Sequence, residues 1–453
     1  MEKQTDAQRM EKIVSLCKRR GFIFQASEIY GGLNGVWDFG PLGTELKRNL
    51  KDYWWRVMVR EREDVVGLDG SILTHRAALK ASGHEDTFAD PMVDCRTCKA
   101  RLRADQIPEK NGVKQCPNCG GKDLTEPRSF NLMLRTHLGA TEDESSLAYL
   151  RPETAQSIFQ QFRNVLDTSR KKPPFGIAQI GKAFRNEINP RNFIFRSREF
   201  EQMELEYFCA PEQGMQLLDY WLEERLRFYE NIGIPREKLH VLTVPDAERA
   251  FYSKGTYDIE YDFPFGKQEL EGVAYRTDYD LTQHQNASGK PLDYFDEETK
   301  QRFVPHVVEP SAGVDRTVLA LICEAYDEET VTDEKGKAET RTVMRFHPRM
   351  APLKVGVFPL LKNKPELVAK AREVYALLKP HMMAFYDEGG AIGRRYRRQD
   401  EAGTPFGVTV DFETLGERGD ELRDTVTLRH RDSMQQERVA IGELLGRILP
   451  LVN

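Results

Sequence analysis

The sequence has no run of about 18 apolar residues, the length that a membrane-spanning helix needs. Its first twenty residues contain no continuous apolar stretch of the kind that a secretory signal peptide carries. The net charge of −6 is small for 453 residues, so the molecule as a whole is not a nonspecific binder of nucleic acid. A polyanionic partner would have to be held by local basic patches. Together these absences predict a cytoplasmic protein without a membrane span.

Cysteine is scarce: the chain has seven, and three of them are isolated, which is unlike a disulfide framework. The other four form two Cys-x-x-Cys pairs, Cys95 with Cys98 and Cys116 with Cys119, within residues 90–130. Seventeen residues separate the pairs, a spacing typical of a four-cysteine zinc ribbon. Disulfide bonds are the alternative, which a cytosolic setting disfavours. The spacing predicts a structural zinc site with four thiolate ligands and no catalytic role.

The composition, 40% hydrophobic and 30% charged, is typical of globular domains with sizeable cores, and the length indicates about three of them. Beyond residues 344–354 the pattern predicts a compact α/β domain with a mostly parallel sheet. There Gly393–Arg398 carries four arginines around Tyr396, which fits either a solvated helix face or contact with an RNA backbone. The predicted elements of this part are strands at 355–358, 382–386, 407–412 and 424–429, and helices at 365–378, 391–399 and from 436.

The stretch Phe175–Phe208 predicts two strands joined by a long basic loop. On the second strand Gln202, Glu204 and Glu206 share one face, because successive side chains of a strand alternate. A half-exposed antiparallel strand would show the same alternation. Guanidinium groups beside carboxylates suit a ligand with both phosphate and ammonium character. The arginines of the loop are Arg185, Arg191, Arg196 and Arg198.

A second candidate for ligand binding follows an apolar strand that is predicted to end near Val308. A turn at Glu309–Gly313 would lead into a helix that begins near Val314. The glycine permits close approach of the backbone to a ligand, and the helix N-terminus offers N–H groups to a phosphate. Arg316 adds a cation in the first turn. Strand–glycine–helix connections occur in many folds, so this pattern alone is weakly specific.

These segments carry a resemblance to a known family. Arg185–Glu187, the basic loop and the segment FEQME resemble motif 2 of the class II aminoacyl-tRNA synthetases, and SAGVDR resembles motif 3. The glycine-rich turn and aromatic helix around Pro41 resemble motif 1. With RPET at 151–154 the match covers nearly the whole chain, and its form is similar to the homodimeric glycyl-tRNA synthetases of bacteria, archaea and eukaryotes. Ser311 and Ala312, in place of the glycines of the general class II pattern, favour the glycyl form over the prolyl, histidyl and threonyl forms.

The resemblance implies an α+β fold, in which a class II antiparallel sheet flanked by helices occupies residues 1–345. A zinc-ribbon-like insertion at 90–130 would lie within it, and an α/β anticodon-binding domain would occupy 350–453. The implied reaction activates glycine with ATP and Mg²⁺ to glycyl-adenylate and pyrophosphate, and then transfers glycine to the 3′ end of tRNA(Gly). The implied motifs span about 31–60, 175–208 and 303–326.

For ATP the resemblance implies that Arg185 contacts the α-phosphate, that Glu187 lies near the adenine, and that Arg316 holds the γ-phosphate, these three being the catalytic residues. Phe195 or Phe200 would stack on the adenine, and Glu269 would lie by ATP and its magnesium. The implied ATP-binding residues are Arg185, Asn186, Glu187, Phe195, Arg196, Ser197, Arg198, Glu199, Phe200, Glu269, Leu270, Gly313, Val314, Asp315 and Arg316.

Glycine would lie among Glu153, Glu204 and Glu309, with Ser311 close to its α-carbon and Arg103 near its carboxylate. Three carboxylates would recognise the ammonium group, and crowding at Ser311 would reject a β-carbon. The implied glycine-binding residues are Arg103, Glu153, Phe200, Glu201, Gln202, Met203, Glu204, Glu309, Pro310, Ser311, Ala312 and Gly313.

Two alternative functions remain at the level of the sequence. A noncatalytic RNA-binding protein with this fold would have no use for an adenylation site, so Arg185, Glu187 and Arg316 argue against it. A ligase for serine or alanine conflicts with the crowding expected at Ser311.

Overall fold

The computed structural model describes residues 6–110, 112–250, 252–332, 336 and 338–453, so part of the acidic segment near 327–342 lies outside the described residues. None of the helices in these ranges combines the length and apolarity that a membrane crossing needs. The helices are α1 (Asp6–Arg20), α2 (Pro41–Trp55), α3 (Arg76–Ala81), α4 (His84–Thr87), α5 (Ala155–Ser169), α6 (Gly214–Asn231), α7 (Tyr279–Ser288), α8 (Val314–Ala325), α9 (Pro365–Leu378), α10 (Ile392–Ala402) and α11 (Leu444–Val452).

The strands form one large sheet, a smaller C-terminal sheet and several short ladders. They are β1 (Ile23–Gln25), β2 (Trp37–Phe39), β3 (Val65–Gly67), β4 (Leu73–His75), β5 (Ala89–Asp94), β6 (Arg101–Arg103), β7 (Glu109–Lys110), β8 (Val113–Lys114), β9 (Arg128–Asn131), β10 (Leu134–His137), β11 (Leu147–Leu150), β12 (Phe175–Phe184), β13 (Glu199–Cys209), β14 (Leu239–Thr243), β15 (Gly255–Phe263), β16 (Gly266–Thr277), β17 (Tyr294–Phe295), β18 (Arg302–Phe303), β19 (His306–Gly313), β20 (Tyr326–Thr332), β21 (Ala338–Met344), β22 (Val355–Pro359), β23 (Ala384–Tyr386), β24 (Phe406–Val410), β25 (Thr425–His430) and β26 (Gln436–Ala440).

The large sheet has seven strands in the order β14-β15-β16-β19-β13-β12-β3. Its pairs are antiparallel except for β12 with β3. The predicted pair of strands with a basic loop between them is confirmed as β12 and β13. In the register Glu204 of β13 lies between Gln179 of β12 and Ser311 of β19, so the two candidate ligand-binding segments are neighbours at the centre of the sheet.

Apolar layers cover both faces of this sheet. On one face α2, α6 and α8 supply buried side chains such as Leu50, Trp221 and Val318. On the other, α5 and α7 contribute Phe159 and Leu281. Truncating a fully buried aromatic side chain such as Trp221 to alanine would cost about 3–5 kcal/mol of stability. The sheet is therefore packed between two apolar cores, which fix the positions of its strands.

The turn predicted at Glu309–Gly313 is wrong. Strand β19 continues through these residues, and α8 begins immediately at Val314. Because β19 pairs with β13 on one side and β16 on the other, the ladders hold the segment extended despite Pro310. The sequence rule that proline breaks central strands therefore failed here. The consequence is that the side chains of Glu309 and Ser311 share one face of the sheet.

The C-terminal sheet has the order β23-β22-β24-β25-β26, separate from the large sheet. Strand β22 is parallel to both of its neighbours, whereas β24, β25 and β26 are antiparallel, so the predicted mostly parallel sheet is in fact mixed. The helix predicted from 436 is also wrong, because residues 436–440 are β26 and α11 begins only at Leu444. A connection as short as 431–435 joins strands only as an antiparallel hairpin.

Candidate active site

A cleft opens beside the central strands of the large sheet, where β13, β16, β19 and the start of α8 meet residues 185–198, hereafter the basic loop. Most residues implied for ATP line it. The lining residues are Arg185, Glu187, Ile194, Phe195, Arg196, Ser197, Phe200, Glu201, Gln202, Glu269, Leu270, Gly272, Ser311, Gly313, Asp315 and Arg316. The implied residues outside this lining are Asn186, Arg198, Glu199 and Val314 of the ATP set, and Arg103, Glu153, Met203, Glu204, Glu309, Pro310 and Ala312 of the glycine set.

Arg185 stands in the wall of the cleft between two aromatic rings. Its guanidinium carbon lies 5.2 Å from the ring centroid of Phe88 and 5.3 Å from that of Phe200. Its Nε donates to the Pro152 carbonyl at 3.1 Å, and none of the described residues accepts from its two Nη atoms. Burial lowers the pKa of Arg185, while Glu153 acts to raise it. The free Nη groups suit an anionic ligand.

The basic loop is braced from within. Glu187 is buried, its carboxylate accepts from Arg196 at 3.2 Å, and its carbonyl accepts from Nε and Nη2 of Arg198 at 3.1 and 2.9 Å. Arg198 also donates to the Asn34 carbonyl at 2.6 Å. Its side chain therefore ties the loop to the segment that precedes α2 and does not face the cleft.

Opposite charges meet at the N-terminus of α8. The Arg316 guanidinium lies 4.4 Å from the ring centroid of Phe195, and its Nη1 lies 3.3 Å from a carboxylate oxygen of Glu269. Asp258, on the neighbouring strand β15, pairs in register with Gly272 of the lining. Burial, reinforced by Glu269, raises the pKa of Asp258 to about 6. The sequence reasoning missed Asp258, because only the β15–β16 register brings it to this end of the cleft.

Beyond Ser311 lie Glu153, Glu204 and Glu309, hereafter the glutamate group. Ser311 Oγ donates to Glu204 at 2.8 Å, and the Thr154 hydroxyl donates to the other oxygen of that carboxylate. Burial, reinforced by Glu153, raises the pKa of Glu204. Burial acts to raise the pKa of Glu153, whereas His84, whose Nε2 lies 3.2 Å from the Glu153 carboxylate, acts to lower it. The net effect is a lowered pKa. The structure thus brings together the three carboxylates that the resemblance implied.

Arg276 neutralises part of this acidic group, and the sequence reasoning did not include it. Its Nη1 donates to both oxygens of Glu309 at 3.0 and 2.9 Å, and its Nε and Nη2 donate to Asp280 at 2.8 and 2.9 Å. Arg276 and Asp280 are both buried. A fork of this kind holds Glu309 in one orientation. The sequence signal that could have revealed this ion pair is the spacing of Arg276 and Asp280, which lie four residues apart where β16 passes into α7.

Several residues implied for glycine do not point toward it. Met203 and Ala312 are fully buried in the apolar core on the opposite face of the sheet, and strand alternation places Pro310 on that face as well. Their side chains therefore do not contact a ligand in the cleft, which corrects the assignment. Val314, implied for ATP, is likewise a core residue. Along the strands of these motifs, successive side chains therefore point alternately to the face of the cleft and to the apolar core.

Arg103 also departs from expectation. It forms ion pairs with Asp90 at 2.9 Å and with Asp105 at 2.7 Å, and the nearest site residue to influence its charge is Glu187. It is not part of the glutamate group. The structure therefore gives no support to its placement beside a glycine carboxylate in the unliganded protein.

The acidic residues Glu201 and Asp315 reach the edge of the cleft, but both are paired. Lys47 of α2 lies 2.8 Å from each of their carboxylates, and Lys51 lies 2.9 Å from Glu201. Asp315 also accepts from the Glu201 backbone N–H at 2.6 Å. Glu199, implied for ATP, pairs with Lys182 on β12. The charges of these acids are thus satisfied by lysines in the walls of the cleft.

The four paired cysteines meet in space. Cys95 and Cys119 have their Sγ atoms 3.7 Å apart, and Cys98 and Cys116 have theirs 3.6 Å apart. Within the described residues all four thiols are free, and all lie within 4.8 Å of one another. Thiolates at about 2.3 Å from a tetrahedral zinc ion would be about 3.8 Å apart. The geometry matches a metal site and not a pair of disulfides.

The arginine cluster of α10 is mostly engaged within the protein. Arg395 is buried and donates to the carbonyls of Gly390 and Pro359. Arg397 pairs with Glu339, and Arg398 pairs with Asp387. Of the four, Arg395 is therefore unavailable to a ligand, whereas Arg397 and Arg398 form ion pairs at the surface. Only the exposed Arg394 of this cluster shows no such pairing within the described residues.

Comparison with known proteins assigns most strands of the large sheet and the C-terminal sheet to two different domain families. Residues 139–326 match the tRNA synthetase class II core domain (G, H, P, S and T), and residues 354–450 match an anticodon binding domain. The chain is 53% identical to the glycine–tRNA ligase of Treponema denticola, over 97% of this chain and 96% of the relative. It is 52% identical to that of Streptomyces coelicolor, over 97% and 98%, and 52% identical to that of Thermobifida fusca, over 96% of each.

The chain belongs to the glycine–tRNA ligase family.

As a glycine–tRNA ligase the protein is a ligase enzyme with a class II core, which confirms the resemblance drawn from motifs 2 and 3. The class II core match contains both the basic loop and the start of α8, the two walls of the cleft. The anticodon-binding match contains the whole C-terminal sheet. The noncatalytic RNA-binding alternative is therefore excluded.

Proposed function

We propose that this ligase activates glycine with ATP in the cleft, releasing pyrophosphate, and then transfers the glycyl group to the 3′ end of tRNA(Gly). The observation that carries the proposal is the position of Ser311. It lines the cleft beside the arginines of the basic loop, and its hydroxyl binds Glu204 of the buried glutamate group. A triphosphate on one side and an ammonium group on the other would therefore meet at this residue.

Arg185 would contact the α-phosphate through its free Nη groups, and Arg316 would turn from Glu269 to the γ-phosphate. Of the two candidate rings, Phe200 is favoured for the adenine, because Phe195 is buried against Phe263. An oxygen of the glycine carboxylate would attack the α-phosphorus, and the bond from that phosphorus to the departing pyrophosphate would break. The protein supplies positioning and positive charge, and no side chain acts as nucleophile.

Magnesium fits the phosphate end of the cleft. The charge of Glu269 contributes to the raised pKa of Asp258, and oxygen ligands of this kind suit Mg²⁺. These two residues would hold the ion, which neutralises charge on the phosphates when bound. Arg316, which now pairs with Glu269, would then be released toward ATP.

The glutamate group would hold the ammonium group of glycine. Arg276 fixes Glu309, and the hydroxyls of Thr154 and Ser311 fix Glu204, so both carboxylates are oriented before the ligand arrives. A side chain on the substrate α-carbon would collide with Ser311. Exclusion of larger amino acids by size suffices for glycine, because no smaller amino acid competes.

Residues 1–345 would form the catalytic domain and residues 350–453 the anticodon-binding domain, with Arg394 as a candidate contact to tRNA. The protein would act as a homodimer through the motif 1 region. Ile29 and Tyr30, in the segment before α2, are 88% and 85% exposed, which suits a subunit interface. Because ATP and tRNA are cytoplasmic substrates, the same proposal places the protein in the cytoplasm.

Zinc would be held by Cys95, Cys98, Cys116 and Cys119, whose sulfur spacing fits a tetrahedral ion. Apolar side chains of the insertion, including Val93 and Leu102, pack around the buried thiols. This packing is too small to stabilise an insertion alone, so a metal would contribute to its folding.

The first experiment is amino-acid-dependent exchange of pyrophosphate into ATP, with all twenty amino acids tested separately and no tRNA. Exchange with glycine alone supports the proposal, and Arg185→Gln is expected to abolish it. Arg163→Gln, on the exposed surface of α5, is the matched control and keeps full exchange. Exchange with a different amino acid overturns the assignment of the glutamate group, and no exchange with any of them overturns the proposal.

A further inference from the structure

Glu206 is a buried carboxyl group that the proposed reaction does not use. It follows Glu204 by two residues on β13, so both side chains lie on the same face of the sheet. Its side chain is fully buried, and neither carboxylate oxygen has a hydrogen-bond partner among the described residues. One oxygen each of Glu204, Glu206 and Glu309 lie within 4.8 Å of one another. A buried polar group without partners requires a physical explanation.

The neighbouring carboxylates have donors of their own. Glu204 accepts from Thr154 and Ser311, and both oxygens of Glu309 accept from Arg276. Glu206 is the member of this trio that receives no donor from the described residues.

The surrounding charges do not compensate Glu206 either. The titratable and charged groups that face it are Glu204 on its own strand, Glu309 on β19, Arg276 on β16 and Asp280 on α7. Arg276 acts to lower the pKa of Glu206, but its hydrogen bonds go to Asp280 and Glu309, whose negative charges oppose its effect. Burial, reinforced by Glu309, raises the pKa of Glu206 well above its ordinary value. An ionised carboxylate in this place would be costly.

We propose that Glu206 carries a proton in the empty pocket and releases it when the ammonium group of glycine binds the glutamate group. The inference rests on the proposed function, because it takes the ammonium group to lie among Glu153, Glu204 and Glu309. In this step the O–H bond of Glu206 breaks, the electron pair stays on the carboxylate, and the proton is taken up by the solvent. The added positive charge of the ligand replaces the charge of the proton.

The charge of Glu206 would thus depend on the ligand, being neutral without glycine and negative when the ammonium group is bound. Without the proton the empty pocket would bury another unpaired negative charge, and with it the pocket stays stable until glycine arrives. The released proton would pass toward the cleft by way of Glu204, whose carboxylate binds the hydroxyl of Ser311 in the cleft wall. Glycine binding would therefore strengthen as pH rises, since a step that releases a proton is favoured at low proton concentration.

The test combines calorimetry with kinetics. Titration of glycine into the full chain, in two buffers of different ionisation enthalpy at pH 7, is expected to show release of about one proton. In the exchange assay between pH 6 and 8, the KM for glycine is expected to fall by up to about tenfold per pH unit, while the KM for ATP stays level.

Glu206→Gln mimics the protonated form and cannot ionise. It is expected to bind glycine with the weak affinity that the wild type shows at low pH, without proton release and with a KM independent of pH. Glu212→Gln, an exposed position just beyond β13, is the control and keeps the wild-type profile.

Proton release that persists in Glu206→Gln overturns the inference, as does a wild-type chain that binds glycine without releasing a proton. The wild-type measurement can overturn the inference even if Glu206→Gln does not fold. A wild-type chain without glycine-dependent exchange overturns the proposed function instead, so the two failures are distinguishable.

Discussion

At the scale of single residues, we expect selection of a substrate without a side chain to depend on a few contacts around Ser311. Its hydroxyl orients Glu204 at 2.8 Å, and in the proposed pose its Cβ would occupy the space that a substrate side chain needs. Thr154 orients the same carboxylate from a different element, the segment before α5. Under the proposed function, this one residue would serve both recognition of the ammonium group and exclusion of larger amino acids.

Replacing Ser311 with glycine should separate these two roles. Ser311→Gly is expected to admit alanine, so that alanine-dependent exchange becomes measurable while glycine-dependent exchange weakens by about tenfold, the equivalent of one lost hydrogen bond to a charged group. Ser311→Ala keeps the Cβ and loses only the hydroxyl, so it should weaken glycine without admitting alanine. If Ser311→Gly still excludes alanine fully, crowding at this residue is not the basis of selection.

At the scale of elements, α2 joins the segments that build the cleft. Lys47 binds Glu201 of β13 and Asp315 of α8 at 2.8 Å each, and it also lies over the ring of Phe39. Asp315 precedes Arg316, the proposed γ-phosphate contact. Helix α2 therefore fixes two walls of the cleft through one ammonium group.

Removing that ammonium group should loosen the phosphate end of the cleft more than the glycine end. Lys47→Met is expected to raise the KM for ATP in the exchange assay by roughly ten- to a hundredfold, because Glu201 and Asp315 lose a nearly buried charge partner worth about 1.5–3 kcal/mol. The KM for glycine should change little. Lys47→Arg should restore most of the ATP affinity, and an equal rise in both KM values would contradict the positional role.

The cysteine insertion has only a small apolar cluster of its own, so we expect its stability to depend on bound zinc. Atomic absorption of the purified protein is expected to show one zinc ion per chain, and Cys98→Ser with Cys119→Ser should remove it. These two thiols are exposed, so the substitutions leave the apolar packing around Cys95 and Cys116 in place.

Because the thiolates hold a closed site, metal loss should expose the insertion to proteases without abolishing glycine-dependent exchange outright. Cys209→Ser, a buried thiol far from the pairs in sequence, is the matched control. A chain with full-length protease resistance and no zinc would contradict the assignment.

At the scale of the whole molecule, a buried ionic network joins the hairpin β20–β21 to the C-terminal sheet. Asp400 of α10 accepts from Arg341 of β21 at 2.9 Å and from Arg429 of β25 at 3.0 Å. Arg341 also donates to the Arg431 carbonyl at 2.6 Å, and Arg431 donates to the Phe346 carbonyl at 2.8 Å. The C-terminal sheet is thereby fixed relative to the segment that follows α8.

Weakening this network should affect tRNA charging more than adenylation. Asp400→Asn removes the carboxylate that Arg341 and Arg429 share, so that Arg341 keeps only Glu329, at a cost of about 3–5 kcal/mol in stability. Charging of tRNA(Gly) is expected to fall at least tenfold, while glycine-dependent exchange persists, because the cleft lies in the large sheet. Glu339→Gln, at an exposed ion pair of the same hairpin, should leave both unchanged. Parallel loss of both activities in Asp400→Asn would contradict the proposed coupling.

The sequence alone determined what depends on local order. The alternation along β13 and the spacing of the cysteines both follow from nearby residues, and both predictions agree with the structure. The motifs identified the family because the residues of each motif are close together in the chain. Local rules failed at Glu309–Gly313 and at 436–440, where pairing with distant strands overrides the turn and helix signals.

Only the tertiary structure decided which charges face one another. Arg276, Asp258 and Lys47 are distant in sequence from the residues they serve, and sheet register and helix packing bring them to the site. The same register buried Met203 within a motif and left Glu206 without a donor. Coulomb interactions and desolvation depend on distance in space, which a sequence does not record beyond its own neighbours.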